Sequence, residues 1–160
     1  MIDFLLKYFW VIIILNNLIK YIIIKSKANF IINHNYDLKA GYDAFCTRFL
    51  LYTNIPWIIY AIGFFTKNID NVLDLFIIQE YNSFILIFYS TSIIIIALTI
   101  HWILFKDGAK FYKFHPRLMP INELIYGTKK ITIKHIQRFW IFKGSILLVS
   151  IILILIVGKI

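Results

Sequence analysis

Residues 83–105 read SFILIFYSTSIIIIALTIHWILF, 23 consecutive positions without an Asp, Glu, Lys or Arg. At a rise of about 1.5 Å per residue, a helix of that length reaches about 35 Å, enough to cross the roughly 30 Å hydrocarbon core of a bilayer. A core helix of a soluble bundle needs charged side chains about every second turn on its outward face, and this stretch offers none. It therefore reads as a transmembrane helix.

Working outward, three more windows are long and mostly apolar, residues 139–157 downstream and 46–66 and 4–24 upstream, with Lys143, Arg48, Lys7 and Lys20 as their only charges. The expectation is an all-α, integral membrane four-helix bundle, a single transmembrane domain over residues 1–160. Pro56 should kink the second span, because it removes one intrahelical hydrogen bond. Composition agrees, with 61% hydrophobic residues, only 16% charged and a mean hydropathy of +0.79. A soluble enzyme and a disordered basic tail do not fit these values, and a secreted disulfide scaffold fails because Cys46 has no partner in the chain. Isoleucine fills 37 of 160 positions, which reads as the coding bias of an AT-rich genome and suggests a bacterial inner membrane or an organelle inner membrane. A signal peptide ending at Ser26-Lys27-Ala28 fits less well, since Lys20 and Lys25 sit where a cleavage region is neutral.

Between the spans the chain is polar. Residues 25–45 and 106–138 form two basic loops, with residues 42–48 beginning a helix that runs on into the second span and 128–138 extending the fourth. The connection 67–82 is short and acidic. In it Val72, Leu73, Phe76 and Ile77 repeat at helical spacing opposite Asp70 and Asp74, predicting a short amphipathic interfacial segment.

Fourteen of the 17 basic residues fall at the ends joined by the first and third loops, and Lys7, Lys67 and Lys159 at the other. With the acids included the two faces carry about −1 and +10. The positive-inside rule then puts the first and third loops in the cytoplasm and both termini on the non-cytoplasmic side. Tyr8, Phe9 and Trp10 at one end, and Trp102, Phe105, Phe139 and Trp140 at the other, read as interfacial belts, whereas Trp57 falls mid-span.

Two groups of residues stand out as sites. Asn16, Asn17, Thr53, Asn54, Thr99 and Ser145 fall at one depth, a turn or two inside the basic ends of their spans, and form an intramembrane polar layer. Amides in hydrocarbon turn toward other helices, so the layer reads first as helix-to-helix glue and second as a pore constriction or ligand pocket. Lys106, Lys110, Lys113 and Arg117 follow one another at i, i+4, i+7 and i+11 with Phe111, Tyr112 and Phe114 interleaved, a basic stripe suited to anionic headgroups or a partner's acidic face. Nucleic acid is the poorer fit, since four cations are few.

No catalytic, cofactor-binding or metal-binding residues are expected. No Asp or Glu lies inside the four windows, which weighs against a pump or proton-coupled carrier. His101 and His135 lie near the inner ends of spans three and four but have no local ligand motif, so a haem or metal site is a distant alternative. The leading expectation is a non-enzymatic subunit of a larger membrane assembly, an anchor or sensor acting through its basic cytoplasmic loop, with other membrane subunits or itself as partners. The alternatives are a homo-oligomeric pore or membrane-perturbing effector of a toxin, immunity or phage-defence system, and a small haem or lipid-modifying protein.

Overall fold

The computed structural model describes residues 2–76, 82–115 and 132–157, and among these every regular element is helical. Four helices are long and apolar enough to cross a membrane: Phe9–His34, Tyr36–Phe65, Ser83–Phe105 and Ile133–Val157. In chain order the elements are α1 (Ile2–Lys7), α2 (Phe9–His34), a 3-10 turn (Tyr36–Leu38), α3 (Lys39–Phe65), a second 3-10 turn (Val72–Leu75), α4 (Ser83–Phe105), α5 (Gly108–Phe114) and α6 (Ile133–Val157). The chain divides into two compact units, one built on described residues up to Ser92 with 155–157, the other on those between Ile93 and Ile154.

In the first unit α2 and α3 form an antiparallel hairpin. The expected loop 25–45 is mostly helix: α2 continues to His34, and after a short turn α3 starts at Lys39, earlier than residues 42–48 suggested. Apolar residues scattered through the polar stretch explain the difference. Ala28 and Ile32, one turn apart, are buried, and so are Tyr42, Phe45 and Cys46 on α3. The end of α2 is satisfied locally, with His34 Nδ1 2.7 Å from the Phe30 carbonyl oxygen and the Asn35 N–H donating to Ile31. Residues 26–28 thus lie within a helix. Farther along, α3 passes through Pro56 without a break, and Pro56 itself is buried.

Helix α3 stops at Thr66, followed by Lys67 in the left-handed region at φ 58°. The N–H groups of Asn68 and Ile69 both return to the Gly63 carbonyl, at 2.9 and 3.2 Å. Gly63 is needed for the close approach of Ile69 and Phe84, since a Cβ there would lie 2.7 Å from Ile69 Cδ1 and 3.0 Å from Phe84 Cβ. The acidic connection then folds as a 3-10 turn. Asn71 caps it by accepting from Leu73 N–H at 2.8 Å, while the Asp74 carboxylate accepts from the N–H groups of Asp70 and Asn71. Its buried residues are Ile69, Val72 and Leu75, and Leu73 and Phe76 are exposed. The expected face of Val72, Leu73, Phe76 and Ile77 is therefore corrected for its described members: three residues per turn, not 3.6, sets which side chains point inward. Ile77 lies outside the described residues. Asn82 then caps α4 and donates to the Asn68 carbonyl, closing the connection on itself.

In the second unit, α4 ends at Phe105 and the chain turns through Asp107, also left-handed at φ 58°. Gly108 comes next because nothing larger fits: its Cβ would fall 2.7 Å from Cδ2 of the Trp102 indole. Gly144 of α6 serves the same purpose against Ile100, whose Cδ1 would be 2.6 Å away. Thr132 caps α6, its hydroxyl accepting from the His135 N–H at 3.3 Å. Of the expected helical extension 128–138, residues 128–131 lie outside the described residues.

Candidate functional site: a basic shelf on an aromatic base

Around the end of α4, cations and rings are arranged with a definite polarity. Helix α5 is amphipathic across its width: Gly108, Ala109 and Tyr112 are buried, and Lys110, Lys113 and Phe114 are exposed. The buried side rests on aromatic rings. Tyr112 stacks on Trp140 of α6 at 5.7 Å with the planes 22° apart and meets Trp102 of α4 edge-on at 5.8 Å. Lys143 lies over the same Trp140 ring, 5.1 Å from its centroid. Enclosure pushes the Tyr112 phenol well above its ordinary pKa, and burial also pulls His115 below its usual value.

The outward side carries Lys106, Lys110 and Lys113, all exposed, between Phe105 at 72% and Phe114 at 73% exposure. Two large rings are thus left bare beside three ammonium groups. Lys110 is partly neutralised by Asp107 at 2.7 Å, an exposed pair of small energetic weight.

The sequence expectation of one helical stripe is corrected. Lys106 lies on the turn between α4 and α5, so only Lys110 and Lys113 share a helix, and Arg117 lies outside the described residues. The cause is the break at Asp107-Gly108, which a reading by spacing alone runs straight through. Sequence reasoning also missed the support of the shelf. Trp102 and Trp140 read as belt residues, yet they form the base on which Tyr112 sits, and the signal that could have revealed it is Gly108, three residues past the end of an apolar span.

The polar layer is gathered in part. Asn17 Nδ2 donates to the Thr53 carbonyl at 2.8 Å and lies 3.5 Å from Asn54 Oδ1. Asn54, 5% exposed, donates to the Leu50 carbonyl at 2.7 Å, and the Thr53 hydroxyl donates to Phe49 at the same distance. These three residues form a clamp between α2 and α3. Asn16 is exposed and has no place in it. Thr99 and Ser145 belong to the second unit, where the Thr99 hydroxyl donates to Ile95 on its own helix and Ser145 is exposed. Trp57, the misfit of the belts, is the centre of a ring cluster with Phe9, Tyr60 and Phe88.

The histidines are dispersed in character. His101 lies against Phe105 at 5.4 Å and is exposed, and His135 is exposed in the first turn of α6. Among the described residues, no three His, Cys, Asp or Glu side chains gather as metal ligands would. Set against known protein families, curated proteins and solved structures, the chain matches none.

Proposed function

We propose that the chain is a multi-pass membrane protein with a non-enzymatic role, a component of a larger membrane assembly that is anchored at the anionic leaflet through the shelf formed by Lys106, Lys110 and Lys113. The observation that carries this reading is the two-sidedness of α5: cations and bare phenylalanines outward, a packed aromatic base inward. A charge cluster present only for topology needs no such base. Packing fixes the shelf relative to the end of α4, so it addresses headgroups at a set depth.

The Asn17–Thr53–Asn54 clamp supports glue over a pore lining for that part of the polar layer, because its amides are occupied by backbone and by each other. Charge sidedness supports placing the shelf in the cytoplasm and both termini away from it. Reporter fusions after residue 160 and within 116–131 test the orientation, and a cytoplasmic reporter active at the C-terminus would overturn it.

The anchoring itself is tested with the chain in nanodiscs of phosphatidylcholine with and without phosphatidylglycerol, by counting retained lipids in native mass spectrometry. Each cation near an anionic surface is worth about 1 kcal/mol, so changing the three lysines to Gln should lower phosphatidylglycerol retention by about 150-fold. High salt should weaken the wild type in the same direction. Unchanged retention in the triple variant would leave the lysines with a topological role alone.

A further inference from the structure

The first unit carries a second charged site, at the end remote from the α2–α3 turn. There α1, the end of α3 and the segment around Ile69–Leu73 enclose an open cleft of about 760 Å3. Its apolar wall includes Phe64 and Phe65, and four charged residues line it: Asp3 and Asp70, Lys7 and Lys67. All four are exposed, and no ion pair joins any two of them. Lys7 is held instead over aromatic faces, its Nζ 6.0 Å from the Tyr8 centroid and 5.9 Å from that of Phe64.

Two carboxylates and two ammonium groups lining one cleft without pairing make a receptor that is neutral in sum and polar in detail. An anionic headgroup would satisfy the lysines and face two carboxylates, and a cationic group meets the reverse. The complement is a ligand carrying both signs a few atoms apart. We propose that the cleft binds the headgroup of a zwitterionic phospholipid of the phosphoethanolamine type, drawn from the leaflet at that end of the spans, an inference that rests on the membrane-embedded reading above. The phosphate is the partner for Lys7 and Lys67. The primary ammonium is the partner for Asp3 and Asp70, to which it donates hydrogen bonds that a choline headgroup cannot make. Phe64 and Phe65 offer the apolar wall that the glycerol and first methylenes require.

The test uses the full chain, first floated with phosphatidylcholine vesicles and challenged with alkaline carbonate to establish insertion. Wild type, Lys7→Gln/Lys67→Gln and Asp3→Asn/Asp70→Asn are then placed in nanodiscs of equal phosphatidylethanolamine and phosphatidylcholine, and retained lipids are counted by native mass spectrometry. Anionic lipid is omitted because the basic shelf would hold it. The substituted side chains are exposed, and unchanged helical circular dichroism shows that each variant is folded. Wild type should retain phosphatidylethanolamine about tenfold over phosphatidylcholine, and each double variant should bring the ratio toward one. Soluble phosphoethanolamine at millimolar concentration distinguishes the source: displacement of the lipid means that the headgroup suffices, and no displacement means that the chains contribute. Equal retention of the two lipids by wild type, or a preference unchanged in both variants, overturns the inference while leaving membrane insertion intact. Failure of the wild type to resist carbonate overturns the membrane reading and this inference with it.

Discussion

Helices α3 and α4 end with the same backbone device, a non-glycine residue at φ 58°, and then differ in everything that holds the next segment in place. After Lys67 the restraint is hydrogen bonding: Thr66 and Asn68 bind carbonyls at the end of α3, and Asn71, Asp74 and Asn82 bind backbone groups within the connection. After Asp107 it is shape, with Gly108 beneath the Trp102 indole and Tyr112 stacked on Trp140. A hydrogen-bonded turn carries its instructions locally and can lie beside an open cleft. A ring-packed turn depends on bulk from two helices, and that makes a firm base for charge. The difference teaches why the mixed-charge cleft accompanies the first device and the all-cation shelf the second.

The sharpest way to break the comparison is Gly108→Leu. The new Cβ would lie 2.7 to 3.0 Å from three atoms of the indole, a rigid ring held by its neighbours. Overpacking of this kind costs about 2–3 kcal/mol, read as a shifted midpoint for unfolding in mixed micelles and as loss of near-ultraviolet tryptophan ellipticity. Gly63→Ala is its counterpart at the other device. There the closest atom is Ile69 Cδ1, the end of a flexible chain, although Phe84 Cβ at 3.0 Å belongs to a helix. A smaller loss, about 1 kcal/mol, is expected.

Next in size is Asn54→Leu, in the clamp between α2 and α3. Leucine removes the acceptor 3.5 Å from Asn17 Nδ2, which retains the Thr53 carbonyl. Interhelical hydrogen bonds in membranes are worth about 0.6–2 kcal/mol, and with one bond retained this substitution should cost about 1 kcal/mol. Hydrogen exchange along α2 should rise while liposome ion leakage stays at background. Leakage that changes with no loss of stability would favour the pore reading instead.

Asn71→Ala should cost about 1 kcal/mol through loss of the cap. Exchange should quicken in 69–75 and leave α5 unchanged, because the Asn71 side chain accepts from the Leu73 N–H of its own turn. Equal quickening in both would show that they are coupled.

These regions also show what a sequence discloses. The bounds of α4 at Ser83 and Phe105 coincide with the apolar window, since an uncharged run of 23 residues admits one reading. The basic end of the hairpin is harder to read, because Ala28, Ile32, Tyr42 and Phe45 are buried through pairing of two helices and carry no local signal of it. For Leu73, Leu75 and Phe76 a helical period gives the wrong face, as three and 3.6 residues per turn diverge within a single turn. The stripe from Lys106 to Arg117 fails for a related reason. Spacing presumes one continuous helix, and only the left-handed Asp107 shows where that helix stops. Of the candidate sites, Asn17, Thr53 and Asn54 are legible through their shared depth. The cleft is not, because Asp3, Lys7, Lys67 and Asp70 come together only when α1 folds against the end of α3.

The smallest effect is also the most discriminating, because it acts on the one feature the two turns share. Lysine in the left-handed region brings its Cβ against the following carbonyl at a cost of about 1–2 kcal/mol, and aspartate there is better tolerated because its short side chain can bond locally. Lys67→Gly should therefore stabilise the chain, by about 0.5–1 kcal/mol once the greater freedom of glycine in the unfolded state is counted. Asp107→Gly should gain less, since the strain relieved is smaller and the ion pair with Lys110 is lost, though that pair is exposed and weak. Unfolding midpoints of the two variants, measured side by side in the same micelles, give the comparison directly. If Asp107→Gly stabilises as much as Lys67→Gly, side-chain identity at the left-handed position carries no weight. If Lys67→Gly destabilises, the lysine contributes more through its charge at the cleft than it costs through its backbone.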